Sequence, residues 1–255
     1  MLSVFLVGGL SVLIFVTLVW LLSLAKKDSG IMDVFWGLGF ILLAVVYVFL
    51  HNSFSNHSVV LLILVLIWGL RLSIHIGIRN SGNPEDARYA AWRKANGKKW
   101  WWFSYFKVFL LQGAVMWIVA LPLLAGFNNG DSLNLLDISG IILWLIGFGF
   151  EAVGDWQLRK FKKEPANKGK VFNRGLWAYT RHPNYFGEAV LWWGFALIAF
   201  SGQYWWIIIS PILMTYLLVR VSGVKMLDEL MSGRSTDYKE YIKTTNAFIP
   251  KFFKD

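Results

Sequence analysis

The sequence predicts an all-α fold, a polytopic integral membrane protein with seven transmembrane helices. Of its 255 residues, 56% are hydrophobic, with 15 Trp and 20 Phe, which is the composition of a membrane protein. Apolar runs of about 20 residues, the length a helix needs to cross a bilayer, recur along the whole chain. The connections between these runs alternate between rich in Lys and Arg and free of them, as the positive-inside rule requires.

Seven apolar runs are read as spans. The first starts at the N-terminus without a basic segment and is longer than the core of a signal peptide, so it is interpreted as a retained span. The predicted spans are 2–25, 31–50, 58–78, 103–127, 138–158, 185–202 and 205–224.

Charge in the connections predicts the orientation. Three connections contain no Lys or Arg, namely 51–57, 128–137 and 201–204. The other three hold two, six and eight of these residues, at 26–30, 79–102 and 159–181. This alternation predicts an N-terminus outside and a cytoplasmic C-terminus.

The domain prediction is a single membrane domain, 1–255. It consists of a four-helix substrate-side half, 1–127, and a cofactor-binding half, 138–255, which carries the most specific motif. The expected location is the bacterial inner membrane, with the active site facing the cytoplasm. The expected partners are the lipid bilayer and an apolar small-molecule substrate that enters from the membrane, and the chain is expected to be a monomer.

Composition also excludes classes of function. The net charge of +10 does not indicate nucleic-acid binding, because the basic residues are tied to one membrane face. The absence of Cys rules out disulfides and Cys-ligated zinc, and the four His residues have no metal-ligand spacing, so no metal is expected. Any nucleotide must bind without a Walker or Gly-x-Gly-x-x-Gly loop, since neither is present.

The segment 175–188 joins a basic connection to an apolar run and is the most specific stretch of the chain. Pro183 suits the first position of a helix, so Arg181 and His182 are expected in a turn beside a helix N-terminus, where anions bind. Asn184 and Glu188 are four residues apart and share a helix face.

Ionisable residues inside the fifth predicted span form a second candidate group. Glu151, Asp155, Arg159 and Lys162 follow at helical spacing, so they lie on one face that runs from the membrane to the basic connection. One interpretation is a ladder of ion pairs within the helix. The other is a ligand site, in which the carboxylates bind hydroxyl or amide groups and the cations bind phosphates.

Other candidates lie in the remaining spans. Arg71 and His75 share a face of the third span, although a lone His is often only a satisfied buried residue. Asp33 could instead cap the second helix or pair with Arg71. Arg220, near the inner end of the seventh span, adds a further cation. The Trp triplet at 100–102 and the Trp pair at 205–206 fit interfacial belts and are assigned no chemistry.

Three segments carry a family resemblance. They are Gly-Asp-Trp-Gln-Leu-Arg-Lys-Phe at 154–161, Asn-Arg-Gly-Leu-Trp at 173–177 and Tyr-Thr-Arg-His-Pro-Asn-Tyr-Phe-Gly-Glu at 179–188. With these segments the chain resembles the steroid 5-alpha-reductase C-terminal family, and more closely its bacterial DUF1295-like branch of uncharacterised membrane proteins. The resemblance covers roughly 145–250 well, and the first four spans match only in pattern.

The resemblance implies a seven-helix bundle in which NADPH lies in the cytosolic half and gives a hydride to an activated carbon-carbon double bond. It implies that Asp155, Asn184 and Glu188 meet the polar body of the cofactor, that tyrosines line it, and that cations hold its phosphates. The full set of candidate cofactor-binding residues is Glu151, Asp155, Arg159, Lys162, Lys170, Asn173, Arg174, Tyr179, Arg181, His182, Asn184, Tyr185, Glu188 and Arg220.

The catalytic residues depart from the family pattern. The adjacent Gln and Glu of the steroid reductases are absent, and their polarising Tyr falls on Trp68, although Arg71 is retained. A reductase must stabilise charge that develops on the substrate oxygen and supply a proton. The candidates for these roles are His75, Arg71 and Asp33.

Two alternative functions remain. Arg-His-Pro-x-Tyr, the acidic pair Asp228-Glu229 and the tail 238–250 are also similar to isoprenylcysteine carboxyl methyltransferases and phospholipid methyltransferases, which use S-adenosylmethionine. The chain lacks the Gly-Pro-Tyr-x-Tyr that usually precedes Arg-His-Pro in them, and its eight-cation connection suits a cofactor with three phosphates. A transporter would be expected to show inverted repeats, and none is visible in the sequence.

Overall fold

The computed structural model describes residues 1–52, 55–127, 133–200, 203–221, 223–233 and 236–252, and the regular structure in these ranges is helical throughout. The α-helices are, in chain order, α1 Leu2–Lys26, α2 Ile31–His51, α3 Asn56–Asn80, α4 Ala87–Asn96, α5 Trp100–Ser104, α6 Leu111–Val119, α7 Leu121–Gly126, α8 Leu135–Lys163, α9 Pro183–Ala199, α10 Ile209–Tyr216, α11 Val224–Ser232 and α12 Thr236–Thr244. Turns of π-helix at Tyr105–Leu110 and Leu217–Val221 continue α5 and α10.

Six helical segments of the described chain are long and apolar enough to cross a membrane. They are Leu2–Lys26, Ile31–His51, Asn56–Asn80, Ala87–Gly126, Leu135–Lys163 and Trp205–Ser232. The all-α class and the multi-pass membrane character are therefore confirmed. The predicted span 185–202 corresponds to α9, which has 17 residues, so the count of seven spans stays a prediction. Positions 201–202 and 222 of the predicted spans lie outside the described residues.

The chain divides into two compact units. The first unit consists of Met1–Leu133 and Ala199–Ile207, and the second of Asn134–Ile198 and Ile208–Asp255. The first unit contains α1 to α7 and the second contains α8 and α10 to α12 with nearly all of α9.

Close packing of α2 on α3 organises the first unit. A Cβ atom added at Gly37 would overlap the backbone carbonyl of Gly69, so the two helices cross where neither has a side chain. Beside this crossing, the rings of Phe40 and Trp68 meet at 5.4 Å, and both side chains are fully buried. The crossing therefore fixes the orientation of the part of α3 that follows Trp68.

The run Ala87–Gly126 contains an elbow. The Lys107 ammonium lies 4.5 Å from the ring centre of Trp92, whereas these residues would be about 22 Å apart in a straight helix. Gly97 adopts a positive φ of 50°, a conformation that glycine reaches without strain. The chain therefore turns at Gly97, and α4 folds back beside the helix that follows.

A seam of glycines brings α8 and α9 together in the second unit. A Cβ atom at Gly140 would lie 2.8 Å from the Gly194 carbonyl oxygen, and one at Gly194 would lie 2.7 Å from the backbone nitrogen of Trp144. One added at Gly187 would overlap the backbone of Gly147 and Glu151. Small residues at such spacing let helix backbones approach closely in a membrane. The seam places the motif residues of α9 against the carboxylates of α8.

Candidate functional site

Two carboxylates of α8 are buried where the seam holds α9 against this helix. Glu151 is 2% exposed and Asp155 is 8% exposed. A capping box starts the helix, because the Asn134 side chain accepts from the backbone of Asp137 while the Asp137 carboxylate accepts from the backbone of Asn134. With 29 residues, α8 is about 43 Å long. It is therefore longer than the hydrocarbon core of a bilayer, which is about 30 Å thick.

Asp155 and Asn184 meet across the seam. The Asn184 amide nitrogen donates to Asp155 Oδ1 at 3.0 Å. The approach is close because Gly154 faces Pro183, whose Cγ would be 3.1 Å from a Cβ built at that glycine. α9 begins at Pro183, as the sequence predicted. Two of the predicted cofactor-binding residues are thus in direct contact.

The Asn184 side chain has an unused acceptor. Its Oδ1 atom is buried and has no hydrogen-bond partner among the described residues. A buried amide oxygen costs free energy when it is left unpaired, about 1 to 3 kcal/mol. A ligand amide or hydroxyl group placed there would satisfy it, and the carboxamide and ribose hydroxyls of NADPH are such groups. The unused acceptor therefore fits the cofactor that the resemblance implies.

The segment before α9 is anchored to α8 by residues of the family motif. Gly175 has a φ of +59°, and a side chain there would overlap that of Gln157. The Gln157 oxygen accepts from the Leu176 N–H at 3.0 Å, and the Trp177 indole N–H donates to the Gly154 carbonyl at 3.0 Å. These contacts explain why glycine, glutamine and tryptophan stand at these positions.

Asp228 is the centre of a polar cluster at the N-terminus of α9. The Arg181 guanidinium donates to Asp228 Oδ2 at 2.5 Å, and the Tyr238 hydroxyl donates to Oδ1 at 2.6 Å. His182 Nε2 lies 3.0 Å from Oδ1 and must carry the hydrogen of this bond, since a carboxylate only accepts. The sequence predicted an anion site at Arg181 and His182, and the structure places the protein's own carboxylate there.

Charge and burial in this cluster shift the pKa values of Arg181 and Tyr238. Burial opposes the charge of the Arg181 guanidinium, but the hydrogen bonds and attraction of Asp228 outweigh burial and raise its pKa further above the ordinary value. Burial, together with the hydrogen bond to Asp228, raises the pKa of the Tyr238 hydroxyl. Arg181 is therefore charged and Tyr238 neutral at physiological pH. Whether Arg181 and His182 also hold a cofactor phosphate stays a prediction.

Residues 245–251 of the C-terminal segment form hydrogen bonds with residues 179–181, the turn before α9. The Arg181 N–H donates to the Asn246 carbonyl at 2.9 Å, and the Lys251 N–H donates to the Tyr179 carbonyl at 3.0 Å. Between them, the Thr180 hydroxyl donates to the Phe248 carbonyl at 2.8 Å. The Arg181 guanidinium also donates to the Thr245 carbonyl. The tail is therefore part of the structure around the motif.

The remaining predicted cofactor-binding residues of the second unit differ in exposure. Tyr179, Tyr185 and Glu188 are partly buried. The exposed members are Arg159, Lys162, Lys170, Asn173, Arg174 and Arg220. Lys170 and Asn173 line a cleft of about 450 Å³ together with Asp237 and Glu240. A phosphate in this cleft would have to bind on the Lys170 side, because the carboxylates repel it.

The predicted catalytic residues lie in the first unit. Arg71 and His75 are partly buried and four residues apart on α3, one turn after Trp68. Asp33 binds Arg88 at 3.1 Å and accepts from the Tyr89 hydroxyl at 2.7 Å, so it ties α4 to α2. Its catalytic role stays a prediction beside this structural one.

Several important residues were not predicted. Asp228 was considered only as part of an acidic pair for the alternative enzyme class, and Tyr238, Arg88 and Tyr89 were not singled out. Their partners described above lie 10 to 56 positions away, beyond the reach of helical spacing. No group of three or more His, Asp or Glu side chains in the described ranges could hold a metal ion.

These features define a multi-pass helical membrane protein with a partly buried polar pair at a glycine-lined helix contact. The chain belongs to the DUF1295 family, described as "Protein of unknown function (DUF1295)", whose model matches residues 19–245. The resemblance to the steroid 5-alpha-reductase family is thereby confirmed.

Three curated relatives place the motif in a wider context. An uncharacterised protein of Schizosaccharomyces pombe is 26% identical over 76% of this chain and 64% of its own length. The 3-oxo-5-alpha-steroid 4-dehydrogenase 1 of Bos taurus is 40% identical over 27% of this chain and 26% of its own length. A probable O-methyltransferase of Ustilaginoidea virens is 43% identical over 18% of this chain and 16% of its own length. The matches therefore span 64% or less of each relative. No solved structure matches the chain.

Proposed function

We propose that this protein is an NADPH-dependent membrane reductase. It transfers a hydride to an activated carbon-carbon double bond of an apolar substrate such as a steroid-like compound, an enone or an enoyl lipid. The observation that supports this most is the contact between buried Asp155 and partly buried Asn184, with the unused, buried acceptor Oδ1 of Asn184. Similarity to a 3-oxo-5-alpha-steroid 4-dehydrogenase over 68 residues supports oxidoreductase chemistry.

The second unit supplies the cofactor-binding residues in this proposal. Asp155, Asn184 and Glu188 bind the amide and hydroxyl groups of NADPH, and Tyr179 and Tyr185 line it. Exposed cations at the end of α8 and in the following connection bind its phosphates, and these are Arg159, Lys162, Lys170 and Arg174. Arg181 and His182 hold the start of α9 in position through Asp228. When bound, NADPH supplies the hydride.

The first unit supplies the groups that act on the substrate. Negative charge develops on the conjugated oxygen as the double bond is reduced, and a cation or hydrogen-bond donor must stabilise it. Arg71 and His75 share one face of α3 and are the proposed donors, with His75 as the source of the proton.

The membrane arrangement is part of the proposal. α9 forms the sixth of seven spans, the N-terminus lies outside, and the cofactor site faces the cytoplasm of a bacterium with the protein in its inner membrane. The substrate then enters sideways from the bilayer while NADPH binds from water, and the protein acts as a monomer.

Ligand protection tests the cofactor. Purified protein is heated with NADPH, NADH or S-adenosylmethionine, and the unfolding temperature is measured. A ligand at 100 times its dissociation constant stabilises the native state by about 2.7 kcal/mol, so NADPH should raise the unfolding temperature most. The short match to a probable O-methyltransferase makes a methyltransferase the second candidate, and protection by S-adenosylmethionine alone would replace the first proposal with it.

A further inference from the structure

The elbow at Gly97 brings lysines and exposed indoles to one corner of the first unit. The Trp100 indole N–H donates to the Ser29 hydroxyl at 3.1 Å, and the Trp20 indole N–H donates to the Trp101 carbonyl at 3.0 Å. These bonds hold the elbow against the end of α1. The resulting surface, called the basic corner below, comprises Lys26, Lys27, Lys98, Lys99, Trp101 and Trp102.

The side chains of the basic corner are presented outward. The four lysines are exposed, Trp101 is 58% exposed and Trp102 is 42% exposed. In a membrane protein, large apolar side chains with such exposure face lipid. Indole rings beside ammonium groups are the residue types that collect at headgroup level.

The carboxylates near the corner have other partners. Glu85 binds Arg93 at 2.8 Å, and Asp28 accepts from the Gly30 N–H at 2.8 Å. Lys107, the next cation along the chain, is folded over Trp92 and so does not join the surface. Because Arg93 neutralises Glu85, the carboxylate of Asp28 offsets only part of the charge of the four lysines.

We propose that the basic corner is a binding site for the headgroup of an anionic phospholipid. The lysines attract the phosphodiester, and the two exposed indoles insert beside the upper acyl chains. The contacts of Trp100 and Trp101 hold the residues that follow Gly97 against the end of α1, and so bring the two pairs of lysines to one surface. This inference depends on the membrane location of the protein and is independent of the proposed reductase activity.

The absence of Cys from the chain allows a single reporter. Ala95→Cys, at an exposed position on α4, is labelled with a fluorophore and the protein is placed in phosphatidylcholine nanodiscs. Part of the lipid is then replaced by phosphatidylglycerol or phosphatidylcholine brominated near the headgroup, and quenching is compared. Each cation near an anionic surface contributes about a fivefold preference, so brominated phosphatidylglycerol should quench at a several-fold lower mole fraction.

Matched charge variants separate a site from general attraction. Lys98→Gln/Lys99→Gln should bring the two quenching curves together, whereas Lys225→Gln/Lys239→Gln, which removes the same charge from exposed positions of the second unit, should leave the preference intact. Equal quenching by both lipids in the parent protein would overturn the site. An equal loss of preference in both double variants would also overturn it, because it would show only the attraction of a basic protein for an anionic membrane.

Discussion

Asp228 determines the local structure around the motif, since one carboxylate binds Arg181, His182 and Tyr238. Asp228→Asn leaves the buried Arg181 charge without its counter-ion. Removing one partner from such a pair is costly, so we expect a loss of about 2 kcal/mol or more in the free energy of unfolding. Unfolding of purified protein by heat or denaturant measures this loss.

The neighbouring acid provides the control. Glu229 is exposed on the same helix, so Glu229→Gln should leave the unfolding transition within about 0.5 kcal/mol of the parent protein. If both substitutions had the same small effect, the cluster around Asp228 would not be a stabilising element.

The Glu85 carboxyl should make the stability of the protein depend on pH in the acidic range. Burial opposes its ionisation, but hydrogen bonds from Arg93 and the Ser29 N–H outweigh burial, so the pKa of this carboxyl lies below its usual value of 4.5. A depressed pKa gives stability that is present above pH 4.5 and is lost as pH falls through the folded value. Between about pH 5 and pH 3, a range that includes the ordinary pKa of Glu, the unfolding temperature should therefore fall less steeply in Glu85→Gln than in the parent protein. Glu164→Gln, at an exposed position, should not, and parallel curves for the two variants would contradict this account.

For single residues, the sequence placed Asp155 and Asn184 in one site because both belong to the family motifs, and they are in contact although they lie 29 positions apart on different helices. It did not identify Asp228 as the partner of Arg181, 47 positions away, because that pairing depends on how α11 packs. The partners of Asp33 were missed for the same reason.

At the scale of elements, the glycine seam between α8 and α9 supports the site. Gly187→Ala would place a methyl group against the backbone of Gly147 and Glu151, and such overpacking costs about 1 to 3 kcal/mol. We therefore expect a lower unfolding temperature for this variant.

Gly149 on α8 offers the matched control. Nothing lies within 4 Å of a Cβ atom built there, so Gly149→Ala should be neutral or slightly stabilising, by up to about 1 kcal/mol from helix propensity. Comparable destabilisation of both variants would mean that the close approach at Gly187 does not exist.

Helix positions were the most predictable elements, because hydrophobic length alone specifies a span. The predicted spans 2–25 and 31–50 correspond to α1, Leu2–Lys26, and α2, Ile31–His51. The elbow between α4 and α5 was not predicted, since its signal is a single glycine in a basic connection. The extension of α8 to Lys163 was also missed, because polar residues after Leu158 contribute nothing to an apolar run.

At the scale of the whole molecule, the two units carry different predicted roles. The second unit contains the family motif, the buried carboxylates and the candidate cofactor-binding residues, and the first contains Arg71, His75 and Asp33. The proposed reductase assigns the dinucleotide to the second unit and the apolar substrate to the first.

The most direct test of this account is the affinity for NADPH, measured by its fluorescence on titration with purified protein. Asp155→Ala and Glu188→Ala should each weaken binding by about 100-fold or more, the equivalent of roughly 3 kcal/mol from lost hydrogen bonds, while the folded fraction is unchanged. Glu164→Ala, at an exposed position after α8, should bind like the parent protein. Parent-like affinity in both site variants, or no NADPH binding by the parent protein itself, would contradict the assignment of these residues to a cofactor site.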